Sequence, residues 1–195
     1  MTVLWHIVSA VAGYLLGSIN SAVIISRLKG KDIRTVGSGN AGATNILRTF
    51  GKGAAALVFL IDILKGVIAV LLGRLLAGTY GGYLAGFLAV IGHNFPVYFG
   101  FRGGKGIVTS LAVMLTAAPT EALFAMVIAV VVIYVTRLVS LGSITGCIMF
   151  AVLAVIRQPD LWFRIFAVAT ALLAIVRHAG NIKRLWKGTE RRLGK

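Results

Sequence analysis

The chain alternates long uncharged runs with short polar segments. The first run covers residues 2–26, long enough to cross a bilayer as a helix at about 1.5 Å of rise per residue. A polar stretch over 27–52 follows, then an apolar run over 53–73 interrupted by Asp62 and Lys65, then a third over 75–101 that turns near 78–82. Between Lys105 and Arg137 the one charged residue is Glu121, and the neighbouring Pro119 disfavours an uninterrupted helix. That stretch fits one overlong kinked span or two short ones. Runs over 138–156 and 161–177, the latter carrying Arg164 near its start, complete the pattern. No basic start with a small-residue cleavage site precedes the first run, so it reads as a retained helix and not as a signal peptide. Internal repeats and low-complexity tracts are absent from the sequence.

Composition narrows the class. Of 195 residues 58% are hydrophobic and 13% charged, more apolar side chains than a soluble domain of this size buries. The apolar runs are continuous and lack period-two alternation, which argues against a β-barrel pore. The expected fold is all-α: a polytopic integral membrane protein forming a single transmembrane domain over residues 1–195. Twenty Lys and Arg against five Asp and Glu give a net charge of +15. In a membrane protein such an excess marks cytoplasmic loops before it marks nucleic acid, and no nucleic-acid partner is expected. Seven spans with the N-terminus outside and the C-terminus cytoplasmic leave only Arg74, Arg157 and Arg164 on the outer side, with Lys65 inside the membrane. Six spans divide the basic residues almost evenly, against the positive-inside tendency. Seven are therefore expected, the fourth and fifth being short.

The five acids, Asp32, Asp62, Glu121, Asp160 and Glu190, are scattered, so no local carboxylate cluster can hold Mg²⁺ or Ca²⁺. Cys147 lies inside an apolar run and supplies neither a disulfide nor a thiolate site. Neither a metal nor a cofactor is expected.

The seven-span topology puts four polar segments on the cytoplasmic side, where they can converge. In the first, VGSGNAGATN, Gly37, Gly39 and Gly42 are spaced as in a dinucleotide fingerprint, but that fingerprint needs a βαβ unit, which cannot stand between two spans. The better physical reading is a loop whose bare N–H groups face an anion, followed by a helix start at Ala43, Ile46, Leu47 and Phe50. In the second, FRGGKG, Gly103, Gly104 and Gly106 surround Lys105, a geometry suited to a phosphate. It is no Walker A loop, because Gly106 stands where Ser or Thr is required and Phe99 where a glycine is. The third places Ser140 and Ser143 one turn apart, and the fourth places His178 and Asn181 at the same spacing. Surrounding positive charge favours a neutral His178 ring able to exchange a proton near pH 7. Asp62 and Lys65, three residues apart in a span, read as a structural ion pair. His93 and Asn94 read as structural support beneath the second glycine loop.

The runs VGSGNAGATNILR, GHNFPVYFGFRGGKG, VSLGSI and RHAGNIKRL, in this order, resemble the bacterial membrane acyl-phosphate:glycerol-3-phosphate acyltransferases over essentially the whole chain. The resemblance implies transfer of a fatty acyl group from acyl phosphate to the 1-hydroxyl of sn-glycerol 3-phosphate. Lysophosphatidic acid and phosphate are the implied products, in the first acylation of phospholipid biosynthesis. It also implies a multi-pass protein of the bacterial plasma membrane with a cytoplasm-facing active site, embedded in the lipid bilayer, and a functional hand-off from the enzyme that forms acyl phosphate. By motif position the family's functional serine falls on Ser38, with Gly37, Gly39, Asn40 and Thr44 around it, and its arginine on Arg48. Its loop lysine falls on Lys105, between Gly104 and Gly106 and next to Gly103. Its sixth-helix serine falls on Ser143, and its terminal pair on His178 and Asn181. Ala179 and Gly180 depart from the charged residues common there, which weakens that helix end. Ser38, His178 and Asn181 are thus the candidate catalytic residues, and the others the candidate phosphate-binding ones.

Acyl phosphate is an activated mixed anhydride, so direct attack by the glycerol hydroxyl is expected, assisted by His178 or by a substrate phosphate oxygen. A covalent acyl-Ser38 intermediate is the weaker alternative. The rival function is a membrane anion transporter using Asp62 and Lys65, but transporters place broken helices at the midplane within repeats. A CDP-alcohol phosphotransferase would need clustered aspartates.

Overall fold

The computed structural model describes residues 2–193, which form helices joined by loops with no strand among them. Eight α-helices follow in order: α1 Val3–Ser18, α2 Ser21–Leu28, α3 Ala43–Asn94, α4 Ile107–Ala117, α5 Pro119–Thr136, α6 Val139–Arg157, α7 Leu161–Arg177 and α8 Ala179–Trp186. Short 3-10 turns lie at Ile33–Thr35 and Val97–Phe99. The chain folds as two compact units, one ending at Ala117 and the other beginning at Ala118.

The apolar runs do not all become single helices. The first run breaks at Ile19, whose backbone is extended, because Asn20 caps α2 by accepting from the Val23 N–H at 3.1 Å. Hydrophobicity does not report such a break; the Asn-Ser capping signal does. The stretch assigned to α3 is interrupted at Gly51 and again at Ala77–Gly78, where Gly78 takes φ 68°. Side chains across the second break show what happens there: a Cβ at Gly73 would collide with the Gly81 carbonyl, and one at Gly86 would stand 2.8 Å from Val70 Cγ2. Eight residues along one helix are ~12 Å apart. The chain therefore reverses at 77–78, and residues 52–76 and 79–94 form an antiparallel helical hairpin.

Register fixes the rest of the first unit. Ser9 Oγ donates to Gly81 O at 2.9 Å, and Cβ atoms at Gly13 and Gly17 would strike the Ala85 and Ala89 carbonyls. The constant offset means that α1 runs parallel to 79–94, with small residues every fourth position allowing backbone contact, the standard way to join helices in lipid. A Cβ at Gly66 would stand 3.0 Å from Thr109 O, and Arg74 Nη2 donates to Thr116 O at 2.9 Å, so α4 runs parallel to 52–76. The C-terminal end of α1, residues 93–94 and the start of α4 therefore share one end of this unit. The hairpin tip occupies the other.

In the second unit α5 and α6 form an antiparallel pair. A Cβ at Gly146 would stand 2.9 Å from Ala129 Cβ, and at the far end Gln158 Nε2 donates to Glu121 Oε1 at 2.7 Å. The stretch between Lys105 and Arg137 is thus two helices, separated at Ala118 with Pro119 opening the second. Edge-on packing of Phe150 against Phe163, with centroids 5.9 Å apart, joins α6 to α7. The last helix bends by 61° between α7 and α8. His178 stands at the bend with its Nδ1 2.7 Å from the Ala174 carbonyl, and the poor helix formers Gly180 and Asn181 follow Ala179.

Four helical stretches are long and apolar enough to cross a membrane, or five with the bent pair counted as one. The stretch of 57 residues over Ala43–Phe99 counts as one of these and contains the hairpin. Their outward faces carry the side chains expected against lipid, such as Leu60, Leu71, Val131 and Leu172.

Candidate active site

The first glycine segment is an ordered loop organised by one side chain. Asn45, 1% exposed in the first turn of α3, accepts from the Ser38 N–H at 2.9 Å and donates to the carbonyls of Val36 at 3.0 Å and Ile33 at 3.2 Å. Gly37 has φ +61°, and a Cβ there would collide with Asn45 Oδ1. Only glycine permits both. Ser38 is held exposed at the apex, Asn40 and Thr44 half-buried beside it, Gly39 exposed, and Arg48 exposed one turn further along α3. Asn45 went unremarked in the sequence because asparagine in a helix reads as polar filler. The signal available was an Asn in the first helical turn after a glycine-rich segment, where its amide can reach back.

The flank of this loop is fixed by Asp32. Its carboxylate takes Arg34 Nη2 at 2.7 Å and Nε at 2.9 Å and caps the 3-10 turn through the Arg34 N–H. The Arg34 guanidinium beside Asp32 holds its carboxyl well below the usual carboxylate range. Arg34 Nη1 then donates to Phe99 O at 2.9 Å, and the Arg27 guanidinium lies 5.6 Å from the Phe99 ring centroid. The two glycine segments are thereby tied together.

The second glycine loop turns back onto the end of the hairpin. Gly103 N–H donates to Asn94 O at 3.2 Å and Gly104 N–H to His93 O at 3.1 Å. Those two donors serve the fold, and the glycines there answer to close packing: a Cβ at Gly103 would strike the His93 carbonyl, and one at Gly104 would strike both His93 Nε2 and the Ala41 carbonyl. The Ala41 contact again places the first loop against the second. Lys105 is half-buried in the second loop, and Gly106, with φ +72°, leads into α4. The structure thus brings the loop of Gly37, Ser38, Gly39 and Asn40, followed by Thr44 and Arg48 on α3, against the loop of Gly103, Gly104, Lys105 and Gly106 within one unit. His93 and Asn94 support the second loop through their carbonyls.

The remaining candidates lie in the second unit. Ser143 is buried and its hydroxyl donates to Val139 O at 2.8 Å, the usual back-bond of a membrane serine. The Ala174 carbonyl can only accept, so His178 Nδ1 carries a proton there. Asn181 Nδ2 and Ser140 Oγ both donate to Glu190 Oε1, and Arg184 Nε reaches Glu190 Oε2 at 2.7 Å. Burial pushes the Glu190 carboxyl up, but the bonds from Asn181, Ser140 and Arg184 outweigh it and hold it below its ordinary value. The Leu193 N–H donates to Arg137 O at 2.8 Å, which lays the tail across the turn between α5 and α6. Glu190 is a second residue that sequence reasoning passed over, since nine positions of chain separate it from Asn181.

The pattern has close counterparts. Residues 7–188 match the model of the glycerol-3-phosphate acyltransferase family. The chain belongs to that family. The glycerol-3-phosphate acyltransferase of Thermoanaerobacter pseudethanolicus is 50% identical over 98% of this chain and 97% of its own. Glycerol-3-phosphate acyltransferase 1 of Deinococcus radiodurans is 47% identical over 93% and 92%. Among solved structures, the glycerol 3-phosphate form of PlsY (YgiH), an integral membrane glycerol 3-phosphate acyltransferase, superposes with a TM-score of 0.92 at 39% identity, covering 97% of this chain and 96% of that one. Its lysophosphatidic acid form gives 0.89 at 38% identity, covering 97% and 95%. As a member of the glycerol-3-phosphate acyltransferase family, the chain is an all-helical integral membrane acyltransferase, and Asp62 and Lys65 form an ion pair with each other at 2.8 Å.

Proposed function

We propose that the protein transfers a fatty acyl group from acyl phosphate to the 1-hydroxyl of sn-glycerol 3-phosphate, releasing lysophosphatidic acid and inorganic phosphate. One observation carries the reading: two glycine-rich loops meet at Gly104, with Lys105 next to it in the second loop and Arg48 on the helix that follows the first. Both substrates are phosphates, and Lys105 and Arg48 offer the charge-assisted donors a phosphate needs. Ser38 orients a substrate oxygen from the loop apex. In the second unit we assign Ser143, His178 and Asn181 to the same reaction, with Nε2 of His178 the basic nitrogen. The acceptor hydroxyl attacks the acyl carbonyl carbon, its proton passes to His178 or to a phosphate oxygen, and the acyl C–O bond to phosphate breaks. The donor brings its own activation, so the protein supplies position and oxyanion stabilisation.

Seven spans suit this chemistry: α1 with α2, the two arms of the α3 hairpin, α4, α5, α6, and α7 with α8. An outer N-terminus then puts both glycine loops and the tail in the cytoplasm, at the plasma membrane of a bacterium, where an acyl-phosphate-forming enzyme hands over its product. Support comes from the reversal at Ala77–Gly78, the break at Ala118 and the basic residues of loops and tail.

The test is acyl transfer by purified protein from synthetic acyl phosphate to labelled glycerol 3-phosphate, with acyl-CoA as the rival donor. Transfer from acyl-CoA alone would overturn the donor assignment. Direct attack requires sequential kinetics and no phosphate burst with acyl phosphate alone. A stoichiometric acyl adduct at Ser38 would replace it by the serine relay.

A further inference from the structure

The densest buried polar chemistry of the first unit lies beneath the glycine loops, where α1 breaks from α2. Asp62, Lys65 and His93 are 1%, 4% and 2% exposed among otherwise apolar helices. A lysine ammonium has three protons and no lone pair. Lys65 Nζ has three acceptors around it: Ile19 O at 3.0 Å, Asp62 Oδ1 at 2.8 Å and His93 Nδ1 at 2.8 Å. The break in the first span is what frees Ile19 O, and Ser21 Oγ donates to the same Asp62 oxygen at 2.9 Å. His93 Nδ1 also stands 3.5 Å from Asp62 Oδ1, but a charged ammonium 2.8 Å away can only donate, which assigns the lone pair to Nδ1 and the ring proton to Nε2. Thr109 Oγ1, 3.5 Å from Nδ1, is on the same edge.

The opposite edge of the ring faces the loops. His93 Nε2 and the Ala41 carbonyl oxygen converge on the place a Gly104 side chain would occupy. The His93 main-chain carbonyl accepts from Gly104 N–H at 3.1 Å. A single residue thus contacts the ion pair and the second glycine loop, at the place where the Ala41 carbonyl of the first loop also reaches it. With the other tautomer, the lone pair of Nε2 would be turned toward a region already holding a carbonyl oxygen. The Asp62–Lys65 pair removes that choice, in the way an outer partner fixes the tautomer of a metal-bound imidazole.

We propose that His93 is a positioning residue for phosphate binding: the buried Asp62–Lys65 pair fixes its tautomer, and its Nε2–H edge holds the two glycine loops in register. The proposal rests on the reading of those loops as phosphate-binding. The phosphate is that of glycerol 3-phosphate or of acyl phosphate, and KM for each, measured separately, tells them apart.

Two substitutions split the ring into its halves. His93→Asn keeps an acceptor where Nδ1 was, for Lys65, and has nothing where Nε2 was; His93→Gln places an amide donor at the Nε2 position. In the purified full-length protein, His93→Asn should raise KM for one phosphate substrate about tenfold with kcat changed less than about threefold, and His93→Gln should restore KM to within about threefold of the parent. Unchanged KM values in His93→Asn, or equal impairment in both variants, overturn the proposal. Should the variants not fold, nitrogen-15 histidine spectra of the unsubstituted protein decide. The expected result is a neutral Nε2–H tautomer for His93 whose Nε2 resonance shifts on adding glycerol 3-phosphate or inorganic phosphate. An Nδ1–H tautomer, an imidazolium or a resonance indifferent to phosphate overturns it. Neither spectrum needs turnover, so an unsubstituted protein inactive with acyl phosphate counts against the proposed reaction alone.

Discussion

Replacing Asn45 by Ala should cripple acyl transfer without touching a substrate contact. The side chain makes three hydrogen bonds to the loop it organises, to Ser38 N, Val36 O and Ile33 O. At a net value of about 0.5–1.5 kcal/mol each, their loss disfavours the ordered loop by roughly 1.5–4.5 kcal/mol. At ~1.4 kcal/mol per factor of ten, that lowers its population by about tenfold to a thousandfold once disorder competes. Ser38 lies on the exposed side of the loop, so water recovers part of the loss when the loop opens, and a fall in kcat/KM of about tenfold to a hundredfold is expected. Asn45→Asp sharpens the test: it retains an acceptor for Ser38 N but turns a carboxylate oxygen toward two carbonyls, and should be no better than Asn45→Ala. Initial rates against both substrates, with melting temperature as the control, read out the effect. Asn45→Ala within twofold of the parent, or Asn45→Asp at the parent level, would refute the role given to this side chain.

Gly104→Ala places a methyl group against His93 Nε2 and the Ala41 carbonyl, so kcat/KM should fall at least about tenfold while the helices remain folded by circular dichroism; normal kinetics would mean the loops give way freely. Cysteines at Lys31, Arg102 and Lys187 should be labelled from the cytoplasmic face alone and one at Thr79 from the outside alone. Thr79 is the probe at the hairpin tip because a side chain at Gly81 would press on Gly73. Labelling at 31 and 187 from opposite faces would refute seven spans. Glu190, with its pKa held below the ordinary value in the fold, contributes stability that is fully present above the unfolded glutamate pKa and is lost as pH falls through the folded one. The parent's melting temperature should therefore drop on acidification below about pH 5 more steeply than that of Glu190→Gln, and parallel curves would show that the clamp is not electrostatic.

Much of this was legible in the sequence because lipid imposes a simple rule: apolar runs become helices. The separation at Ala118, the start of α3 at Ala43, the extent of α7 and the Asp62–Lys65 pair all followed from run lengths, Pro119, a glycine-rich lead-in and i, i+3 spacing. What hydrophobicity missed were places where the backbone departs from a helix while staying apolar. Ile19 breaks the first run and gives its carbonyl to Lys65, and the 61° bend at His178 divides a pair that spacing alone put on one helix. The organising side chains, Asn45 and Glu190, act over seven and nine residues on backbone and side-chain partners, and such contacts have no periodicity to betray them.

The five carboxylates bear on the choice of base. Asp32 is bound to Arg34 and caps a turn; Asp62 is bound to Lys65; Glu121 takes Gln158 and lies 3.7 Å from Arg157. Asp160 caps α7 through the Trp162 N–H, and Glu190 holds Ser140, Asn181 and Arg184. Each of them is engaged by donors that hold the fold. Ser38, on its side, is tied through its N–H to Asn45, an amide without basicity. A serine relay would need an activated nucleophile. An acyl phosphate attacked directly needs none, since the leaving phosphate is stable as an anion and carries oxygens basic enough to share the proton. The scarcity of acids in a chain of net charge +15 fits an enzyme that takes its negative groups from its substrates and spends its own on holding arginines and lysines in place.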